Sequence, residues 1–265
     1  TKLIDLCVVN YNTRPLLNRF LDCLHNDLHA NEKVWNLYIA DNDSRDDSAE
    51  WLKYNSERYK INKVYNNNNI GYSAACNQLA KDGEADIICL LNADVWLSSE
   101  SLVNIQNIFN NNPDIHILGP KQRDENGYIT HAGIVGTNTQ PRHRGWREHD
   151  PADILYKDRV QCVTVSGSAY FIRREVWNAL TNHSGYKEMH PDADGAFLPT
   201  PHYYEETWCS YFARHLGYNV VYDGSVSIGH SWHKSSTVGG EADSHFKTSQ
   251  AIFRKACDYI GIERD

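Results

Sequence analysis

"IICLLNADVWLSSESL", residues 87–102, is an apolar run that stops at Asn92-Ala93-Asp94 before a helix-period segment begins. A short run without a charge, bounded by turn formers, reads as a strand buried on both faces, as in a parallel sheet. Its carboxyl end is where open α/β sheets bind ligands, and there it carries an amide and a carboxylate two residues apart. A lone carboxylate in that place suits a divalent cation that keeps waters and bridges phosphates, because such ions take only one or two protein carboxylates. A role for Asp94 as a helix cap is weakened by Ser98 and Ser99, which already serve that purpose.

The same unit recurs on either side. "LIDLCVV" (3–9), "VWNLYIA" (34–40), "INKVY" (61–65), "DIICLL" (86–91) and "IHILG" (115–119) predict strands. Between them "PLLNRFLDCLHNDL", "DDSAEWLKYNSERY", "SAACNQLAKDG" and "SSESLVNIQNIFNNN" predict helices, with Ser73 and Ser98 as N-caps. This alternation is that of βαβ units, so the fold class is α/β, with a mostly parallel sheet wound by helices on both faces. After residue 120 the rhythm becomes α+β: "NGYITHAGIV" predicts a turn into an antiparallel strand, and "VQCVTVSGSAYFIRREVWNAL" two strands around a glycine and then a helix. Residues 183–202, with three Pro and two Gly, predict an irregular functional loop or lid. A helix (about 204–216), one or two strands (219–228) and a last helix (about 244–260) follow.

The 265 residues predict a single domain, 1–265, with a half at 1–120, a second half at 121–240 and a C-terminal helix at 241–265. A net charge of −8, from 26 basic and 34 acidic residues, gives no global field to gather a polyanion. Seven cysteines form no CxxC pair and several lie in apolar runs, which predicts a reducing, cytoplasmic setting. No segment approaches the roughly 20 apolar residues of a membrane span, and no signal-peptide pattern opens the chain.

Other clusters invite chemistry. "DND" (41–43) reads as an Asx turn, or as Asp41 or Asp43 accepting hydrogen bonds from a base or ribose. "DADG" (192–195) lacks the further acidic ligands of a calcium loop. Glu205 and Glu206 open a predicted helix, as dipole-favoured acids or as a general base whose pKa flanking Tyr and Trp raise. His230 and His233 are spaced for a transition metal or for plain hydrogen bonding. "RHRGWR" (142–147) suits a phosphate or sugar face, or is a solvated basic loop.

In order, these pieces resemble the inverting family 2 glycosyltransferases of GT-A fold, with a rhamnosyltransferase-like cast. "VVNYNT" resembles the family's first strand and nucleotide loop, and "IADNDS" its Val-Asp-Asn-Gly-Ser motif. "NNNIGYSAACNQ" resembles the Asn-x-Gly-aromatic segment, and "LLNADV" the Leu-Asn-Pro-Asp-Val form of the DXD motif. "VSGSAYFIRREVW", "YYEETWCSYFARHLGY" and "SIGHSWHKSS" are similar to the acceptor-side Gly strand, the Glu-Asp helix and the terminal His.

The resemblance implies a GT-A fold, Rossmann-like with an α+β acceptor-side half, and transfer of a sugar from a nucleoside diphosphate sugar to an acceptor hydroxyl with Mn²⁺ or Mg²⁺. It implies donor contacts from Asn10, Asn12, Asp41, Asn42, Gly71, Asn77, Asn92, Ala93 and Asp94, with Asp41 on the uracil or thymine. It implies metal ligation by Asp94 and His230, and acceptor contacts from Gly167, Trp208 and Trp232. Glu206 takes the place of the family's catalytic Asp, with Glu205 beside it. Trp208 and Phe212 stand where many relatives have Asp and Arg. The processive Gln-x-x-Arg-Trp motif is absent, which implies a non-processive enzyme. The acceptor stays open among a saccharide, a lipid-linked saccharide, a protein side chain and a modified nucleic acid base. The alternatives are a degenerate nucleotide-sugar or carbohydrate binder on the same scaffold and a nucleotidyltransferase.

Overall fold

The computed structural model describes residues 3–26, 34–232 and 239–265, with side chains in the last segment described from 244 onward. The first half is β1 (Ile4–Asn10), α1 (Arg14–His25), β2 (Trp35–Asn42), α2 (Ser48–Asn55), β3 (Lys63–Asn67), α3 (Tyr72–Asp82) and β4 (Ile87–Asn92). Then come β5 (Val95–Trp96), α4 (Ser99–Asn111), β6 (Ile117–Arg123), β7 (Ile129–His131), β8 (Ile134–Gly136) and β9 (Pro141–His143). The chain continues through β10 (Arg159–Gln161), β11 (Ala169–Arg173), α5 (Arg174–Thr181), α6 (Ser184–Met189), α7 (Glu205–His215), β12 (Val220–His230) and α8 (Gly239–Ile260).

One sheet has the order β10-β12-β6-β11-β4-β1-β2-β3, with β5 added to β12 and β7 to β6. β3, β2, β1 and β4 are parallel, as are β6 and β12, while β11 runs antiparallel between β4 and β6. The chain moves outward from β1 through β2 to β3 and then returns to the other side of β1 as β4. That reversal makes a crevice at the carboxyl ends of β1 and β4. Because β11 is reversed, its amino end lies at the same edge, Ala169 opposite Leu91, and the carboxyl ends of β6 and β12 join it.

Side-chain alternation covers both faces. Ile4, Leu6 and Val8 of β1 join α1 and α4 in one core, whereas Cys7 and Val9 join α3, α5 and α7 in the other. None of the seven cysteines is in a disulfide, and all but Cys23 are buried. Among the described residues no helix is long and apolar enough to cross a membrane.

Two expectations need correction. Ser98 caps α4, its Oγ accepting from the Ser101 amide at 3.1 Å, but α3 begins one residue early at Tyr72, after Gly71 at φ 85°. Ser73 lies inside that helix and hydrogen-bonds Thr200 Oγ1 at 3.1 Å. Residues 183–202 are not a free loop: they hold α6, and Tyr186, Ala196, Phe197 and Leu198 are buried. The irregular backbone is satisfied by one side chain of the segment itself and one from α3. Tyr186 Oη donates to the Gly195 carbonyl at 2.9 Å, and Asn77 donates to the Phe197 carbonyl and accepts from its amide at 2.9 and 3.2 Å.

Candidate functional site

The strand end that opened the sequence reading meets the end of β12. β5 pairs antiparallel with β12, His230 opposite Val95, and the Ser231 amide donates to the Asp94 carbonyl at 2.9 Å. This brings His230 Nε2 to 3.4 Å from Asp94 Oδ1, with both side chains more than nine-tenths buried. Gly229 is required here, because a β-carbon on it would fall inside the Trp96 indole.

Asn92 and the start of β11 form the floor. The Asn92 amide donates to the Ser168 carbonyl at 3.0 Å, and Ser168 Oγ donates to Gln122 Oε1 at 2.6 Å. Ala93 is buried beside them. His131, which the sequence reading passed over, accepts from the Ser166 amide through Nε2 at 3.2 Å and donates from Nδ1 to the Pro120 carbonyl at 2.9 Å. Burial lowers its pKa to about 4, so it is a neutral prop for the turn that carries Gly167.

Asn10, Asn12, Asp41, Asn42 and Gly71 gather at the carboxyl ends of β1 and β2. Buried Asp41 accepts from Asn10 Nδ2 at 2.9 Å, Ser44 Oγ at 2.7 Å and the Ser44 amide at 3.1 Å; the bonded amide is three residues on, not the two of an Asx turn. Asp43 sits at φ 68° where the resembled motif has Gly, and Asn12 at φ 54° accepts from the Arg45 amide at 2.6 Å. Asn10 is fully buried and also accepts from Thr13 Oγ1, and Asn42 donates to the Gly71 carbonyl at 3.1 Å; both brace the loop with their side chains.

Glu205 and Glu206 begin α7 after Tyr203 and Tyr204, consecutive non-glycine residues at φ 72° and 67°. Left-handed backbone costs about 1–3 kcal/mol per residue, and it is held here by packing of Tyr204 on Phe253, ring centroids 4.9 Å apart. Glu205 is buried and Glu206 half-buried. Burial raises the Glu205 pKa well above the ordinary carboxylate range, with the neighbouring Glu206 charge adding to it. Burial also raises Glu206, and the hydrogen bond from Glu205 opposes that rise. Of the two, Glu205 is thus the group pushed more strongly towards its neutral form, and Glu206 the one on which charge is favoured. Glu206 lies against Gly167, whose carbonyl accepts from Tyr72 Oη at 3.3 Å.

Some expected residues lie elsewhere. Trp208 is completely buried, with Phe212 at 4.9 Å and Tyr186 at 6.1 Å between ring centroids, so its side chain has no surface for an acceptor. Both ends of the Asn77 amide are likewise occupied by the Phe197 backbone. Trp232 is 38% exposed, edge-on to Trp146 at 4.8 Å, with the Arg147 guanidinium 5.6 Å from its ring. Arg144 of the same basic loop is bound bidentately to Asp158 at 2.8 and 2.9 Å, a structural role. Asp194 is a surface residue paired with Lys81. His233 lies outside the described residues.

Among the described residues no group of three or more His, Cys, Asp or Glu side chains is placed to hold a metal. The Asp94–His230 pair still fits a divalent cation. A carboxylate oxygen and an imidazole nitrogen converge in a buried place, and a cation that binds a diphosphate and waters needs few protein ligands.

The family profile described as "Glycosyl transferase family 2" matches residues 5–180. No curated protein sequence matches. Among solved structures, a mannosyltransferase of Pyrobaculum calidifontis in complex with GDP-Man and Mn²⁺ aligns with TM-score 0.61 at 13% identity, covering 96% of this chain and 64% of that one. GalNAc-T7 with UDP, GalNAc and Mn²⁺ aligns with TM-score 0.63 at 13% identity, covering 86% and 44%. TarS of S. aureus aligns with TM-score 0.51 at 14% identity, covering 84% and 60%. The chain thus spans less than two thirds of each of these proteins, and at such identities the likeness is one of fold: the mostly parallel, Rossmann-like GT-A sheet.

Proposed function

The chain belongs to glycosyl transferase family 2, and from that premise we propose that it moves a sugar from a nucleoside diphosphate sugar to an acceptor hydroxyl, with inversion and with help from Mn²⁺ or Mg²⁺. The observation that carries this reading is the convergence of Asp94 and His230 Nε2, 3.4 Å apart, at the edge of the sheet where Glu206 also stands. Asp94 and His230 hold the cation; when bound it supplies Lewis-acid stabilisation of charge developing on the leaving diphosphate. Asp41 and the loop braced by Asn10, Asn12 and Asn42 receive the nucleoside, and Gly71 shapes the turn behind it.

Glu206 is the general base. Its carboxylate takes the acceptor proton as the acceptor oxygen bonds to the anomeric carbon and the bond to the diphosphate breaks, a contribution of typically about 10²–10⁴-fold. Glu205, neutral and buried, positions it. Gly167 leaves room for the carboxylate, and Trp232 with Trp146 offers ring surface on the acceptor side. The absence of the processive motif supports single transfers, and seven cysteines outside any disulfide support a reducing compartment.

The deciding experiment is a thermal-shift screen of UDP-, dTDP- and GDP-sugars with and without Mn²⁺. A midpoint that rises with one nucleotide and needs the metal supports the reading, because a ligand bound only to the native state stabilises it. No shift with any of them removes it, and metal-dependent binding without turnover on any acceptor turns it into that of a degenerate binder.

A further inference from the structure

Asp94 and His230 are 136 positions apart, on the turn after β4 and at the end of β12. One side chain from α1 reaches both. Arg19 Nη2 donates to the Asp94 carbonyl at 3.2 Å and to Ser231 Oγ at 2.9 Å, while Nη1 donates to Glu125 Oε1 at 2.9 Å. Ser231 Oγ donates to the same Glu125 oxygen. The guanidinium lies 3.9 Å from the centroid of the Trp96 ring, and that ring occupies the space where Gly229 has no side chain.

The contacts bracket the candidate metal pair from behind. Asp94 is fixed through its carbonyl and through Trp96 two residues on; His230 is fixed between Gly229, under the indole, and Ser231, on the guanidinium. Only a planar fork supplies donors in several directions while its face stacks on an aromatic ring, so lysine is no substitute. The Arg19 hydrogen bonds go to the backbone and neighbours that set the spacing of the two ligands.

We propose that Arg19 is a positioning residue for the cation site, holding the Asp94 and His230 strand ends at the separation that lets one divalent ion take both. This rests on the assignment of Asp94 and His230 as metal ligands. Partners that orient metal ligands commonly contribute about 10–100-fold to metal affinity.

The test is an EPR titration of the whole chain with Mn²⁺ alone, in wild type, Asp94→Ala, Arg19→Ala and Arg19→Lys, with metal-free thermal midpoints recorded in parallel. The expected result is that Asp94→Ala abolishes binding, Arg19→Ala weakens it about 10–100-fold and Arg19→Lys falls between. A purely structural arginine would lower the metal-free midpoint and leave the Mn²⁺ affinity of the folded protein unchanged, and that outcome overturns the proposal. If Arg19→Ala does not fold, wild-type affinity in folded Arg19→Lys overturns it equally. Failure of Asp94→Ala to alter binding removes the metal assignment itself, whereas an effect of Asp94→Ala with none from either Arg19 variant removes only the role of Arg19.

Discussion

Gly167 and Glu206 meet so closely that a β-carbon on the glycine would stand 2.9 Å from Glu206 Cδ and 3.1 Å from Oε2. The contact joins the turn before β11 to the first turn of α7, and the groups in the way belong to a side chain able to move. Gly167→Ala should therefore fold with a midpoint near that of wild type while pushing the carboxylate aside. Transfer should fall by at least about tenfold, since misplacement of a reacting group by about 1 Å costs up to 10²-fold. Unchanged kcat in a folded Gly167→Ala protein would show that the Glu206 carboxylate does not act from this position.

The two adjacent glutamates separate by substitution. Glu206→Gln removes the base and should lower kcat by about 10²–10⁴-fold with donor binding intact. Glu205→Gln keeps a hydrogen-bond donor where the protonated acid donated, and should retain most of the activity. If Glu205→Gln is the dead variant, the roles are reversed.

Their pH dependence has a defined sign. Burial raises both pKa values above the ordinary 4.5, so the folded chain holds protons that the unfolded chain has lost. Stability contributed by the neutral forms is complete below about pH 4.5 and is lost as pH rises through the raised values. Glu205→Gln removes the more strongly raised group, and its midpoint should exceed that of wild type at about pH 8, with the gap closing towards about pH 4.5. The rate should likewise rise with pH through the raised Glu206 value, and a rate already on its plateau at about pH 5 would contradict this.

The strand and its Asn92-Ala93-Asp94 ending were legible because period and composition are local: β4 covers Ile87–Asn92, and α4 starts under the Ser98 cap. The pairing of Asp94 with His230 was not legible from the residues alone, since it depends on β12 lying beyond β6 and β11 and on β5 folding over to meet it. Arg19 gave no signal at all, being one arginine on an amphipathic helix. Residues 183–202 misled in the opposite direction: Pro, Gly and Asp suggested a loop, while the apolar "AFL" at 196–198 and the clamp from Asn77, more than a hundred residues earlier, seat it in the core. Asn77 resembled a donor contact because its motif is defined by spacing, and spacing does not say which way a side chain is occupied.

Trp208 is the residue on which sequence and structure differ most. Its resemblance to an acceptor-side position gives way to an aromatic stack of Tyr186, Trp208 and Phe212 that welds α7 to α6. The aromatic pair at 208 and 212 goes with the packed 183–202 segment: both side chains are fully buried, and an acid and an arginine in their place would be an ion pair taken out of water, at a desolvation cost of several kcal/mol. Trp208→Ala should destabilise the chain by about 3–5 kcal/mol, as large-to-small core changes do. Trp208→Phe should recover most of that stability and leave the acceptor KM unchanged. An acceptor KM raised severalfold in Trp208→Phe, with stability close to that of wild type, would return Trp208 to the acceptor site.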